Sequence, residues 1–211
     1  ARRGRVSFRR MGNGSESPYE LNITYFDALG KPDTTDPTRK VRRFLANQAL
    51  MLSLAGVPAL YFHSLVAAPN GLEGLRQTGR TRSINQHKYT WSELHSVLTD
   101  PDRPPRQVLK ALRRMLRVRA EQPVLHPQAD QEAMNCGHSG LIGLVRTTPD
   151  RTERVLVMAN LSDQSLCSHL PERLGRAVWQ DILSDSPEVL TGPSVPLTPY
   201  QVRWLREIAL G

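Results

Sequence analysis

Arg76, Arg80, Arg82 and Lys88, with His87 among them, concentrate positive potential in one short stretch of the 211-residue sequence. A guanidinium is planar and recognises phosphate or carboxylate through two parallel bonds, each charge-assisted bond contributing about 1.5 to 3 kcal/mol. Arg76, Arg80, His87 and Lys88 read individually as surface residues that raise the local potential. Acid-base work across one bond would need two opposed carboxylates. Glu20, Asp27, Asp33, Asp36, Glu73 and Glu93 include no such pair in a motif, so no catalytic residue is assigned. Cys136 and Cys167 lie far apart without a C-x-x-C pattern, and two free thiols are expected, with no metal site and no disulfide framework. His63 closes an apolar run and reads as a satisfied core histidine. Asn85 is expected to hold its loop through side-chain to backbone bonds.

The elements that must position these residues follow from punctuation and period. Residues 1 to 36 are rich in turn formers (Gly4, Gly12, Gly14, Ser15, Ser17, Pro18) around the apolar segment Leu21 to Phe26, and read as a loop entering a short structured element. Asp36-Pro37 is a cap with proline at the first helical position. The apolar positions Val41, Phe44, Leu45, Ala49 and Leu52 then recur at helical spacing until Gly56. Val57 to His63 is a continuous apolar run, read as a strand buried on both faces as in a parallel sheet. Residues 64 to 89 lack periodicity and form a long connection. Thr90-x-x-Glu93 matches a capping box opening a short helix to Leu98, and Pro104-Pro105 starts a longer one. That helix carries Val108, Leu112 and Met115 on a buried stripe and Arg106, Lys110, Arg113 and Arg117 on a solvated face.

Beyond Pro123 the texture changes to short β-rich runs, Leu141 to Thr147, Arg154 to Leu161, Ser165 to Leu170, Ala177 to Leu183 and Tyr200 to Leu205, separated by turns such as 149–153 and 184–188. The expected fold class is α/β: the C-terminal part of a (β/α)8 barrel over residues 1–124, followed by a small antiparallel β domain over residues 125–211. A 39% hydrophobic content suffices for a core. The net charge of +8 is spread over several clusters (Arg2 to Arg10, Arg39 to Arg43, Arg76 to Lys88, Arg106 to Arg119) rather than one stripe, and aromatics are only 6%. That distribution argues against a nucleic-acid partner. No apolar stretch approaches the roughly 18 to 20 residues of a spanning helix, and no apolar run follows the basic start. A cytoplasmic protein with no membrane partner and no cofactor is therefore expected. Because the sequence opens with Ala1 rather than Met, it is expected to belong to a longer polypeptide.

Three segments carry a narrower resemblance: Ser17 to Leu29 (SPYELNITYFDAL), Phe44 to Leu65 (FLANQALMLSLAGVPALYFHSL) and Gly79 to Tyr89 (GRTRSINQHKY). In order and spacing they resemble the sucrose phosphorylase subfamily of the alpha-amylase superfamily, most of all its glucosylglycerate phosphorylases. The ending Leu197 to Leu205 (LTPYQVRWL) is similar to the last strand of the β domain that closes such enzymes. The resemblance implies a retaining phosphorylase of α-glucosides. It would use a nucleophile and an acid-base carboxylate, with phosphate attacking a glucosyl-enzyme intermediate to release α-glucose 1-phosphate. Its partners would be a small sugar substrate and inorganic phosphate. In relatives the nucleophile, the acid-base and a stabilising carboxylate lie on the fourth, fifth and seventh barrel strands, all expected before residue 1, so the chain alone is expected to be inactive.

The resemblance also implies the site residues. Arg82 aligns with an arginine that reaches the sugar and phosphate site from the loop after the last strand. Tyr19-Glu20 stands where sucrose phosphorylases carry Tyr-Gln in a mobile acceptor-site loop, which implies a different acceptor. The segment SPYELNI is more like the glucosylglycerate phosphorylases, so glycerate is favoured, while Glu20 alone does not distinguish it from fructose, fructose 6-phosphate or glycerol and a sucrose or sucrose 6-phosphate phosphorylase is the alternative. A packed loop tyrosine and a solvated loop glutamate are the plainer readings of the same two residues. A competing class is an independent carbohydrate-binding β domain at residues 125–211, which would require Trp179 and Trp204 to stack as an exposed platform. A basic nucleic-acid module is the other. An incomplete barrel would leave the flanks of the Val57 to His63 strand as unpaired edges, favouring aggregation.

Overall fold

The computed structural model describes residues 4–30, 36–186 and 188–208. Arg2, Arg3, Asp33 and the proline of the 184–188 turn lie outside the described residues. The chain forms two compact units, one from Ala1–Phe44 with Leu60–Lys110, the other from Leu45–Ala59 with Ala111–Gly211.

In the first unit, β1 (Arg5–Arg10) and β2 (Glu16–Asn22) pair as an antiparallel hairpin. This corrects the expectation of a loop. Val6 and Phe8 alternate with Arg5, Ser7 and Arg9, a strand period, and Gly14 takes the left-handed conformation at φ 84° that the turn requires. The single turn α1 (Tyr25–Ala28) follows, capped by Thr24, whose Oγ1 accepts from the Asp27 amide at 3.3 Å. Helix α2 (Pro37–Ser53) starts as its sequence predicts, with Asp36 Oδ1 accepting from the amides of Thr38 at 2.9 Å and Arg39 at 3.3 Å. Phe44 is fully buried, edge-on to Tyr25 and Phe26.

The expected strand at Val57 to His63 does not form. Residues 57–61 are in no ladder, Val57 is 84% exposed, and Phe62 opens the short helix α3 (Phe62–Leu65). A central parallel strand satisfies its amides and carbonyls only between neighbouring strands, and every strand pair among the described residues is antiparallel. The connection beyond it is more ordered than its lack of periodicity implied. It holds α4 (Leu72–Thr78), ended by Gly79 at φ 67°, and a 3-10 turn at Thr81–Asn85. The capping box of Thr90 and Glu93 is present and opens α5 (Trp91–Thr99). Helix α6 (Pro104–Glu121) buries Val108 and Leu112 and exposes Arg106, Lys110, Arg113 and Arg117, as its pattern dictates, while Met115, expected on the buried stripe, is half-buried.

The second unit is built on a six-stranded antiparallel sheet of β3 (Asp130–Met134), β4 (Leu141–Thr147), β5 (Arg154–Asn160), β7 (Val178–Asp181), β8 (Glu188–Leu190) and β10 (Val202–Ile208), in the order β3-β4-β5-β10-β7-β8. A two-stranded sheet of β6 (Leu166–His169) and β9 (Ser194–Leu197), and a short helix α7 (Glu172–Gly175), complete it. Leu141, Val145, Leu156, Met158, Leu174, Trp179, Val195, Leu197 and Leu205 share one apolar core. Trp179 and Trp204 are both fully buried, so they make no surface platform for a sugar. The Trp179 indole nitrogen donates to Leu174 O at 3.0 Å.

A buried cation explains why this unit reaches back across the expected boundary near residue 124. Arg146, fully buried on β4, donates to four carbonyls: Ser53 at 2.6 Å, His126 at 2.7 Å, Ala129 at 3.1 Å and Asp130 at 3.2 Å. Arg119 donates in turn to the carbonyls of Leu52, Leu54 and Gly56. Carbonyls at the end of α2, left without intrahelical donors, are thus satisfied by guanidinium groups. Burial lowers the pKa of Arg146 from its ordinary value, and the nearby Arg119 lowers it further.

Two predictions follow from this packing. Replacing Arg146 by Met keeps much of the apolar stem but strands several buried carbonyls, so urea unfolding should show a loss of about 3 kcal/mol. Cys167 is exposed and Cys136 buried, with burial raising the Cys136 thiol pKa. Folded protein treated with iodoacetamide should therefore be alkylated at Cys167 alone, and at both cysteines only after denaturation.

Candidate functional site

The residues singled out for ligand contact come together on the β1–β2 hairpin and the 3-10 turn. The hairpin's register places Ser7 opposite Glu20 and Phe8 opposite Pro18, so Tyr19 is an extra residue on β2, a bulge. Pro18 lacks an N–H and sits beside this bulge, where its missing donor is tolerated. Tyr19 is exposed, whereas Glu20 shares the inward side of β2 with the fully buried Asn22.

The 3-10 turn is fixed from beneath. Ile84 is fully buried, and its carbonyl accepts from the Gly71 amide at 2.8 Å. A Cβ on Gly71 would sit 2.8 Å from Ser83 O, so only glycine permits this approach. Thr78 Oγ1 and Ser83 Oγ, 2.8 Å apart, tie α4 to the turn. The segment before α4 is clamped by Asp27, whose Oδ2 accepts from the Asn70 amide at 2.8 Å while Asn70 Oδ1 accepts from the Thr24 amide at 2.8 Å. Lys40 pairs with Asp27 and lies 4.1 Å from the Phe26 ring centroid.

Hairpin and turn are joined by a polar relay. Asn22 Nδ2 donates to Ser7 Oγ at 2.8 Å, and Ser7 Oγ lies 2.7 Å from Thr81 Oγ1. Adjacent to Thr81, Arg82 donates from Nε to Glu20 Oε2 at 3.0 Å. Glu20 raises the Arg82 pKa through this hydrogen bond and then through its charge, and Tyr19 adds to the effect. A guanidinium is cationic across the physiological pH range in any case. Bound through Nε, it retains two terminal amino groups in the plane of the guanidinium, the fork that matches a phosphate or carboxylate.

Other expected contributors are placed differently. Arg76 is engaged by Glu73, with Nε at 3.0 Å and Nη2 at 2.6 Å, a helix-surface pair. Asn85 does not hold its loop by the expected bonds, since its Oδ1 is buried without a partner. Burial of Ile84 and the Gly71 amide do that work. His63 is half-buried, its Nε2 2.8 Å from His87 O, and it stacks on Tyr61. Arg80 and Lys88 are exposed. Ser7, Asn22 and Thr81 were not foreseen. The Asn13-Gly14 dipeptide between two alternating segments was the signal for the hairpin that carries the first two. Among the described residues no group of three or more His, Cys, Asp or Glu could hold a metal ion, and no helix is long and apolar enough to cross a membrane.

The chain is 38% identical over 161 residues to the glucosylglycerate phosphorylase of Spirochaeta thermophila, a match covering 76% of this chain and 27% of that protein. It is 33% identical over 204 residues to the glucosylglycerate phosphorylase of Allomeiothermus silvanus, covering 96% and 34%. To the sucrose phosphorylase of Bifidobacterium adolescentis it is 34% identical over 103 residues, 49% of this chain and 18% of that one. The chain thus spans about a third or less of the length of the curated relatives it matches. No protein-family model matches it. Among solved structures it is similar in fold to a trehalulose synthase variant, with TM-score 0.63 and 15% identity over 85% of this chain and 42% of that one. An Anoxybacillus alpha-amylase gives TM-score 0.59 and 13% identity over 83% and 34%.

The relay predicts coupled protection of the two elements it joins. Replacing Ser7 by Ala, or Thr81 by Val, removes a bond of about 1 kcal/mol. Amide hydrogen exchange should then accelerate severalfold in both β2 and the 3-10 turn, while the β4–β5 amides of the second unit stay as protected as before.

Proposed function

We propose that this chain, a homologue of the glucosylglycerate and sucrose phosphorylases of the alpha-amylase superfamily, is the C-terminal part of a retaining glycoside phosphorylase. The observation that carries the reading is the Glu20–Arg82 contact at 3.0 Å, with Tyr19 at the adjoining bulge. It unites the two segments of the resemblance that were assigned to ligand recognition. In this reading residues 1–124 supply the last units of a (β/α)8 barrel and residues 125–211 the domain that closes it. The whole protein transfers glucose from an α-glucoside, glucosylglycerate foremost, to inorganic phosphate in the cytoplasm.

This chain's share of the chemistry is recognition. The reaction needs a nucleophilic carboxylate, a second carboxyl as acid-base, and a phosphate held where it attacks the glucosyl intermediate. The fork of Arg82 offers a planar cation for the phosphate or for a carboxylate-bearing acceptor, the Tyr19 ring an apolar wall and its hydroxyl one hydrogen bond. Glu20 places a negative charge where sucrose phosphorylases have an amide. Support for glycerate as acceptor comes from the likeness to the glucosylglycerate phosphorylases of Spirochaeta thermophila and Allomeiothermus silvanus.

The test is turnover by the complete polypeptide that contains this chain, with α-glucosylglycerate, sucrose and sucrose 6-phosphate each offered with inorganic phosphate and α-glucose 1-phosphate measured. Glucosylglycerate should be the best substrate, Arg82→Ala should lower kcat/KM by about 10- to 100-fold, and residues 1–211 alone should turn over none. Absence of glucose 1-phosphate from all three substrates would sink the reading.

A further inference from the structure

Among the features of the first unit, the Glu20–Arg82 pair has a geometry that goes beyond ligand contact. Glu20 meets Arg82 at Nε, the atom that joins the guanidinium to its aliphatic stem. A carboxylate bonded there restrains the last side-chain torsions and the plane of the fork, and Glu20 leaves the terminal amino groups to Tyr19 and to a ligand. Arg82 needs such a restraint, since its side chain is 62% exposed and a free arginine loses rotamer entropy when a ligand immobilises it.

Glu20 is itself held. Its side chain is 31% exposed, and it sits directly opposite Ser7 in the hairpin, whose hydroxyl bridges Asn22 to Thr81, the residue before Arg82. The backbones bearing carboxylate and guanidinium are therefore pinned to each other one residue away from the pair. The bulge at Tyr19 separates these duties, because the extra residue leaves Tyr19 and Pro18 exposed while Glu20 keeps its place facing the turn.

We infer that Glu20 is a positioning residue: it acts on the anionic ligand through Arg82, by pre-orienting the guanidinium fork, and makes no contact with the ligand of its own. This rests on the proposed function and deepens it. Pre-orientation reduces the ordering cost at binding, so its loss appears in KM for the anion more than in kcat. What Glu20 supplies is an oxygen acceptor at Nε, and a glutamine carbonyl supplies the same.

The experiment is a double-mutant cycle in the complete polypeptide, reading KM for inorganic phosphate and kcat at saturating glucoside. Glu20→Ala should raise KM for phosphate about tenfold with kcat within threefold, and Glu20→Gln should recover most of that loss. In an Arg82→Ala background, Glu20→Ala should have no further effect. Three results would overturn the inference: Glu20→Gln as damaging as Glu20→Ala, equal additional loss in the Arg82→Ala background, or Glu20→Ala without effect on KM. If Arg82→Ala itself leaves KM and kcat unchanged, the proposed function of the site fails instead. Amide exchange of the hairpin in each variant shows whether the fold is kept. Should Glu20→Ala unfold the hairpin, Glu20→Gln, which preserves shape, decides between charge and acceptor.

Discussion

The candidate site depends on a closure constraint. Glu20 and Arg82 are 62 positions apart in the chain, yet meet at 3.0 Å. An exposed ion pair contributes little, less than closing a loop of that length costs in entropy, so the pair cannot be what folds the segment. It is a consequence of buried contacts nearby: Ile84 under the turn, the clamp of Asp27 on Asn70, and the Asn22–Ser7–Thr81 relay. Direction of cause matters for function. Because the scaffold is already closed by those contacts, the fold does not depend on the pair being kept.

The second unit shows the opposite use of charge. Among the described residues no carboxylate pairs with Arg146, and its cost of burial is offset by four backbone carbonyls. Arg203 on β10 takes a middle course, with Asp181 at 3.2 Å and Glu188 at 2.7 Å. Burial raises the Asp181 pKa despite that neighbour, while the Leu183 amide and Arg203 oppose the rise. Removing one partner from either arrangement leaves a polar group in a dry interior, which is why such residues hold a fold in one form more firmly than their net stabilisation would indicate.

Local chemistry was legible in the sequence wherever a few adjacent residues decide the outcome. The Asp36-Pro37 start, the Thr90–Glu93 box, the amphipathic face of α6 and the strands β4 and β5 are such cases, and each is found at its expected place. The β1–β2 hairpin was obscured because its arginines and glycines resemble loop composition, and only their alternation marks a strand. β3, β8 and β9 are short, and β3 is mostly polar on an edge, so neither length nor hydrophobicity announced them. Val57 to His63 failed in the other direction. Its apolar run is compatible with a central strand, but strands of that kind exist only through non-local partners, and a run of residues cannot state whether those partners are present.

Legibility of the site divides along the same line. The resemblance singled out Tyr19, Glu20 and Arg82 one by one, yet residue types alone could not reveal that Glu20 and Arg82 touch, nor that they touch at Nε. That geometry comes from the bulge at Tyr19 and from Ser7 and Thr81, residues too common to attract notice. A glutamate bonded to the terminal amino groups of an arginine would occupy the donors that an anion needs. Bonded at Nε rather than at the terminal amino groups, the Glu20 carboxylate lies on the stem side of the guanidinium, where an acceptor can hold Arg82 without occupying those groups.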